Sequence, residues 1–132
     1  MFHAMLDTNT CIRVIRDKPQ NSRNRFIEET GKLAFSSIVL HELHTGVLRS
    51  YAPDRHRIEL EEFLPHVKVI DFDGVAAFHA AVVKSDLLKR KCIIGPNDLL
   101  IAGHARSLGL KLITGNLREF TRVEDLRCED WL

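Results

Sequence analysis

Asp7, Glu42, Asp98 and Glu119 are spread across the chain, yet each falls beside a strand-like run or on the inward side of a helical pattern. Asp7 follows the apolar run 2–6, and Glu42 borders the apolar positions Val39 and Leu43. Asp98 lies in Gly95-Pro96-Asn97-Asp98, where Gly-Pro stops what precedes it and opens a helix. Along that helix Asp98 shares one face with Ile101, Ala102, Ala105 and Leu108, at intervals of three and four. Glu119 comes just after the turn Gly115-Asn116. Carboxylates drawn within a few ångströms repel one another, so without a cation one or more holds its proton at neutral pH. Oxygen-only ligation favours Mg2+ or Mn2+. Two such ions roughly 3.5–4 Å apart activate water and steady the leaving oxygen in phosphodiester cleavage. The pattern therefore points to nuclease chemistry. The plainer reading is that Asp98 or Asn97 caps its helix, as Asp and Asn often do. Glu59, Glu61 and Glu62 show what ordinary surface acids look like in this chain.

Two other hydrolytic schemes fit less well. His41-Glu42-Leu43-His44 resembles the zinc protease helix, but that motif needs histidines four apart and Thr45 stands at the required place. No Ser or Cys pairs convincingly with any of the seven histidines. Leu6-Asp7-Thr8-Asn9-Thr10 resembles the strand-end aspartate motif of haloacid-dehalogenase-like phosphatases. Those enzymes place a second acid two residues on, where this chain has Asn9, so an aspartyl-phosphate route lacks its acid/base.

The elements that must position these acids alternate strand and helix. Strands are expected at 2–6, 33–36, 67–70 and 111–114, with a last short one within 126–131. Helices are expected at 11–16, broken by Lys18-Pro19, then at 22–29, 38–48 and from Pro53 to about position 64. The 38–48 helix should turn Val39, Leu43, Gly46 and Val47 inward. Asp71 or Asp73 caps a further helix, with Val75, Phe78, Val82, Ser85 and Leu88 as its apolar stripe. Such alternation implies an α/β sandwich with a mostly parallel central sheet, whose ligands gather at the carboxyl ends of the strands.

The 132 residues suit one domain, 1–132, and 45% hydrophobic with 28% charged residues excludes long disorder. Neither a membrane span nor a signal peptide is supported by the N-terminal pattern, so a cytoplasmic location is expected. Cys11, Cys92 and Cys128 are odd in number and widely spaced, as reduced structural thiols would be. Net charge is only +1, but Arg13, Arg16, Lys18, Arg23 and Arg25 form one basic cluster and Lys84, Lys89, Arg90 and Lys91 another. Either suits phosphates, and either serves equally as a solvated helix face. Arg13, Arg16, Arg23 and Arg25 are the candidate RNA contacts.

Met5-Leu6-Asp7-Thr8-Asn9, the segment 37–46 around Glu42, Gly95-Pro96-Asn97-Asp98 with Ile101-Ala102-Gly103-His104-Ala105, and Thr114-Gly115-Asn116-Leu117-Arg118-Glu119-Phe120 together resemble the PIN domain, and within it the VapC toxins of toxin–antitoxin pairs. The similarity spans nearly the whole chain. It implies a metal-dependent endoribonuclease that cuts structured RNA, often a tRNA, with the anticodon region of initiator tRNA as the leading target. It also implies a homodimer silenced by a small VapB-type antitoxin. On this resemblance Asp7 and Asp98 are the main Mg2+ ligands, with Mn2+ able to substitute, and Glu42 and Glu119 complete the acidic pocket. Thr8, Asn9, Ser36 and Thr114 support them. Asn116 stands where many members carry an acid. A domain of this family that binds RNA or protein without cutting is the remaining alternative.

Overall fold

A computed structural model describes residues 1–16 and 20–131. The expected break at Lys18-Pro19 lies outside them. Five strands, β1 (Ala4–Leu6), β2 (Leu33–Ser36), β3 (Lys68–Ile70), β4 (Lys111–Ile113) and β5 (Cys128–Glu129), form one sheet in the order β3-β2-β1-β4-β5. Every pairing is parallel, with Leu6 opposite Ile113 and Ser36 opposite Ile70. β1 and β2 are buried at every residue, as parallel strands covered on both faces must be. Seven helices flank the sheet among the described residues: α1 (Thr8–Arg16), α2 (Gln20–Glu28), α3 (Ser37–Leu48), α4 (Pro53–Phe63), α5 (Gly74–Lys89), α6 (Pro96–Leu108) and α7 (Leu117–Phe120). The alternation read from the sequence is the architecture observed.

The crossovers from β1 through β3 step one way across the sheet, and the chain then returns to place β4 on the other side of β1. Strand order therefore reverses between β1 and β4, which makes their carboxyl ends the crevice where open α/β sheets bind ligands. Asp7 and Thr114 are the first residues beyond those two ends.

Helix starts are fixed locally. Asp7 accepts the Thr10 amide at 2.9 Å, so α1 begins at Thr8, three residues earlier than its apolar pattern suggests. Ser36 caps α3 through the Ile38 amide at 3.1 Å, and Asp73 rather than Asp71 caps α5 through Ala76 at 2.9 Å. α6 starts at Pro96 after Gly95, with no side-chain cap, so neither Asp98 nor Asn97 plays the capping role. It ends on Gly109, whose φ of 65° is the left-handed stop that glycine supplies.

The apolar stripe expected on α5 is a correction. Val75, Phe78 and Leu88 are exposed, and Ala76, Ala80, Val83 and Leu87 face the core instead. The reason lies in α6, where a Cβ on Gly103 would sit 2.5 Å from the Cα of Ala80. Backbones this close leave room only for a small side chain at the crossing, where Ala80 sits, and the helix face set by that contact turns Val75, Phe78 and Leu88 outward. Leu108 of α6 and Gly46 of α3 are likewise exposed rather than inward.

Gly103→Ala is expected to cost about 1–3 kcal/mol in urea unfolding, because overpacking against backbone outweighs the gain of roughly 1 kcal/mol in helix propensity. Phe78→Ser should stay within about 0.5 kcal/mol of wild type. The reverse ranking would restore the stripe first expected from the sequence.

Candidate active site

Four segments bring the acids to the carboxyl end of the sheet, where Asp7, Glu42 and Glu119 each meet a neutral donor. Asp7 is 4% exposed. Its Oδ1 accepts the Thr10 amide at 2.9 Å and its Oδ2 accepts the Thr114 hydroxyl at 2.5 Å. The Thr10 hydroxyl donates to the Ile113 carbonyl at 3.1 Å, and the Asp7 amide reaches the same carbonyl at 3.1 Å, so β4 and the first turn of α1 are locked around this carboxylate. Burial pushes the Asp7 carboxyl above its ordinary value, opposed by the hydrogen bonds from Thr114 and Thr10 and by the charge of Arg13.

Glu42 projects from α3, where its Oε1 accepts from the Thr8 hydroxyl and its Oε2 accepts from the Asn97 amide at 3.2 Å. The three residues come from α1, α3 and α6. Glu119, on α7, accepts from the Asn116 side-chain amide at 2.9 Å, while the Asn116 backbone N–H donates to Thr114 Oγ1 at 2.9 Å. Asn116 thus acts as the donor that orients Glu119.

Asp98 joins the set electrostatically. Its pKa is raised to about 7, first by burial, then by the hydrogen bond and charge of Glu119, and then by the charges of Asp7 and Glu42. All three other acids act on this one carboxyl, which is the structural form of the repulsion expected from the sequence. Among the described residues no three acidic, histidine or cysteine side chains converge as a ready-made metal cluster. The donor set nevertheless suits a hard divalent cation, being all oxygen, partly desolvated and mutually repulsive.

Of the supporting residues expected, Thr8 and Thr114 bond directly to the acids. Ser36 serves at one remove, capping the helix that carries Glu42 and pairing with His104 Nδ1 at 2.8 Å. Asn9 is exposed on the first turn of α1 and bonds to none of the acids. Sequence reasoning assigned no site role to Thr10, Asn97 or His104. Asn97 was legible only as a capping type, and the buried His104 only as part of a motif. Its pKa is lowered by burial, against the charges of Asp73 and Asp71, and its ring meets Phe72 edge-on at 5.4 Å.

The four arginines separate. Arg25 pairs with Glu129 at 2.8 Å and lies 5.7 Å over the Trp131 ring, and Arg23 donates to the Val14 carbonyl at 3.1 Å. Both are occupied in holding the fold. Arg16 is exposed at the end of α1, beside the groove that Glu42 also lines. Arg13 is a charge acting on Asp7 and lies against the turn that follows β4.

The profile of the PIN domain matches residues 4–126. A relative from Salmonella typhimurium, named tRNA(fMet)-specific endonuclease VapC, is 44% identical over 131 residues, 99% of both chains. Ribonuclease VapC2 of Haemophilus influenzae is 42% identical over the full length of both. The crystal structure of DNA-bound VapBC from Salmonella typhimurium matches with a TM-score of 0.95 at 44% identity, covering all of both chains. VapBC2 from Rickettsia felis, bound to a promoter DNA fragment, follows at 0.93 and 35%, again over both chains entire. This chain belongs to the PIN domain family, within its VapC ribonuclease group. The zinc and aspartyl-phosphate schemes end here: His41 and His44 are both exposed, and the family is not that of the dehalogenase-like phosphatases.

The raised Asp98 has a signed consequence for the metal-free protein. The folded chain keeps this proton up to about pH 7, whereas the ordinary aspartate value is 3.8. Between those values the folded state binds more protons than the unfolded one, so stability falls as pH rises through that window and levels off above it. Asp98→Asn should therefore raise the Tm in EDTA at about pH 8, with the gain shrinking toward about pH 4.5. An equal shift at both pH values, measured by scanning calorimetry, would exclude the coupling.

Proposed function

We propose that this chain is the toxin of a toxin–antitoxin pair, a Mg2+-dependent endoribonuclease that hydrolyses a phosphodiester bond in structured RNA. The initiator tRNA anticodon region is the target, and a VapB-type antitoxin is the inhibitor. The observation that carries the reading is Asp98, a carboxyl on which Glu119, Asp7 and Glu42 all act at the carboxyl end of a parallel sheet. The relative named for tRNA(fMet) supports the choice of RNA, and the VapBC complexes among the structural neighbours support the antitoxin. Such a toxin acts in the cytoplasm, where its tRNA substrate is found, and pairs with a second copy of itself. No helix among the described residues is long and apolar enough to cross a membrane.

Asp7 and Asp98 are the residues that would hold Mg2+, with Mn2+ an acceptable substitute. A divalent ion supplies Lewis-acid polarisation of the phosphoryl group and a more acidic water. The chain's own contribution is positioning. Thr114 and Thr10 fix both oxygens of Asp7, so its negative charge is presented in one orientation. Thr8 and Asn97 hold both oxygens of Glu42, and Asn116 holds Glu119. A carboxylate so held accepts a proton from the attacking water as its oxygen bonds to phosphorus, while the P–O bond to the leaving ribose oxygen breaks and that oxygen takes a proton from solvent water. All these donors are uncharged, so they orient the acids and leave the pocket negative.

Asp7→Asn and Asp98→Asn, each shown folded by circular dichroism, are expected to abolish cleavage of initiator tRNA in Mg2+. Asn97→Leu, which frees one oxygen of Glu42, should lower the rate by about 10–100-fold, the usual effect of losing an outer hydrogen bond at a metal site. Sequencing of the new RNA ends reads all three. Wild-type rates in either aspartate variant would refute the assignment, and a wild-type protein that binds RNA without cutting it would make this an inert binding domain.

A further inference from the structure

Gly115 is a glycine for which the backbone gives no reason. The positive-φ glycines are Gly31 and Gly109, and Gly115 is not among them, so an L-residue would fit its conformation. The space its side chain would fill is already taken. A Cβ built at Gly115 would lie 2.1 Å from Nη2 of Arg13 and 2.6 Å from its Cζ and Nη1. The guanidinium of α1 thus rests on the turn Thr114-Gly115-Asn116, whose two outer residues hold Asp7 and Glu119. The same cation is one of the charges acting on Asp7.

Arg13 is only lightly engaged in this seat. Among the described residues it pairs with Asp130 at 3.4 Å, longer than the roughly 2.7–2.9 Å of a strong charge-assisted bond, and its side chain is 27% exposed. A planar fork with donors to spare, fixed beside a pocket built of acids, has the geometry that phosphate recognition uses. It also supplies the one thing a negative site needs in order to admit a negative strand, a local positive charge at its edge.

We infer that Arg13, seated by the absence of a side chain at Gly115, is a phosphate anchor that docks the RNA strand against the acidic site. The inference rests on the ribonuclease reading above and adds to it a specific contact. Because Arg13 binds substrate alike before and during the reaction, its loss acts on KM rather than on kcat. Gly115→Ala is the discriminating variant. It leaves the net charge and the arginine in place but evicts the guanidinium from its seat, and the displaced atoms are the far end of a flexible side chain, so the fold survives.

The test measures binding of labelled initiator tRNA to the full chain in EDTA across a salt series, together with Mg2+ kinetics and the Tm of each variant. Arg13→Ala should weaken binding about tenfold and reduce the salt slope by roughly 0.7–0.9. Gly115→Ala should weaken binding several-fold with kcat retained. Arg13→Lys, keeping the charge and losing the fork, should fall between Arg13→Ala and wild type. Wild-type binding in Gly115→Ala, or a lowered Tm with an unchanged salt slope in Arg13→Ala, would overturn the anchor and reduce Arg13 to a tie between α1 and Asp130. If the wild-type protein neither binds nor cuts RNA, the ribonuclease reading falls and the anchor falls with it. Binding and cutting undiminished in both variants sink the anchor alone.

Discussion

Mutual repulsion of Asp7, Glu42, Asp98 and Glu119 is the constraint around which this molecule is arranged. Water would screen these charges if they were spread over the surface, as it does for Glu61 and Glu62 on α4. Gathered at the end of a sheet and partly desolvated, they hold the Asp98 carboxyl protonated to about pH 7. Sequence-distant elements must therefore keep together groups that would separate if free. The sheet does this by brute burial: β1 and β4 are paired over three residues, and both lead directly into the site. What remains is handled by hydrogen bonds that bridge elements, Thr114 to Asp7 between β4 and β1, and Asn97 to Glu42 between α6 and α3.

Parallel topology supplies the rest. In a parallel sheet all strands end on the same side, so residues following β1 and β4 are neighbours even though 107 positions separate Asp7 from Thr114. Helix starts cluster there too, since each crossover helix begins near where its strand ends. Ser36 uses this twice, ending β2 and capping α3 while its hydroxyl reaches His104 of α6. The burial of His104 keeps its ring neutral, so this contact adds packing and a hydrogen bond without a charge that would disturb the acids.

Much of this was legible in the sequence because the signals were local. The run of β-type and apolar residues over Leu33–Ser36, the Gly-Pro before α6 and the Pro at the start of α4 each act within a few residues, and those elements were placed to within one or two positions. The four acids were legible as candidates as well, Asp7, Glu42 and Asp98 beside strand-like or helical apolar patterns and Glu119 just after the turn Gly115-Asn116. Illegible were features set by approach between elements. The buried face of α5 depends on how close α6 comes at Gly103, which no periodicity encodes. Asn97 as a partner of Glu42 depends on a contact across 55 positions, and Arg23 and Arg25 were indistinguishable from Arg13 until their partners Val14 and Glu129 were in place. Three glycines make the same point. Gly109, Gly103 and Gly115 look alike in sequence, yet one is required by a positive φ, one by backbone contact with Ala80, and one by the guanidinium of Arg13.

The choice of neutral donors has a physical logic of its own. A lysine or arginine at Thr8, Asn97 or Thr114 would hold its carboxylate more tightly than a hydroxyl or an amide does, since charge-assisted bonds are roughly twice as strong. It would also cancel the negative charge and place a cation where a divalent ion is needed, raising stability at the expense of binding. Thr and Asn fix orientation while leaving the field intact. Arg13 marks where that rule stops: it is the weakest of the causes acting on Asp7, and its guanidinium lies on the turn beside the pocket, where a positive charge faces an incoming strand more than it quiets the acids behind it. Neutral donors within and Arg13 at the edge suit the proposed site, which must repel itself strongly enough to favour a divalent ion and still admit a polyanion.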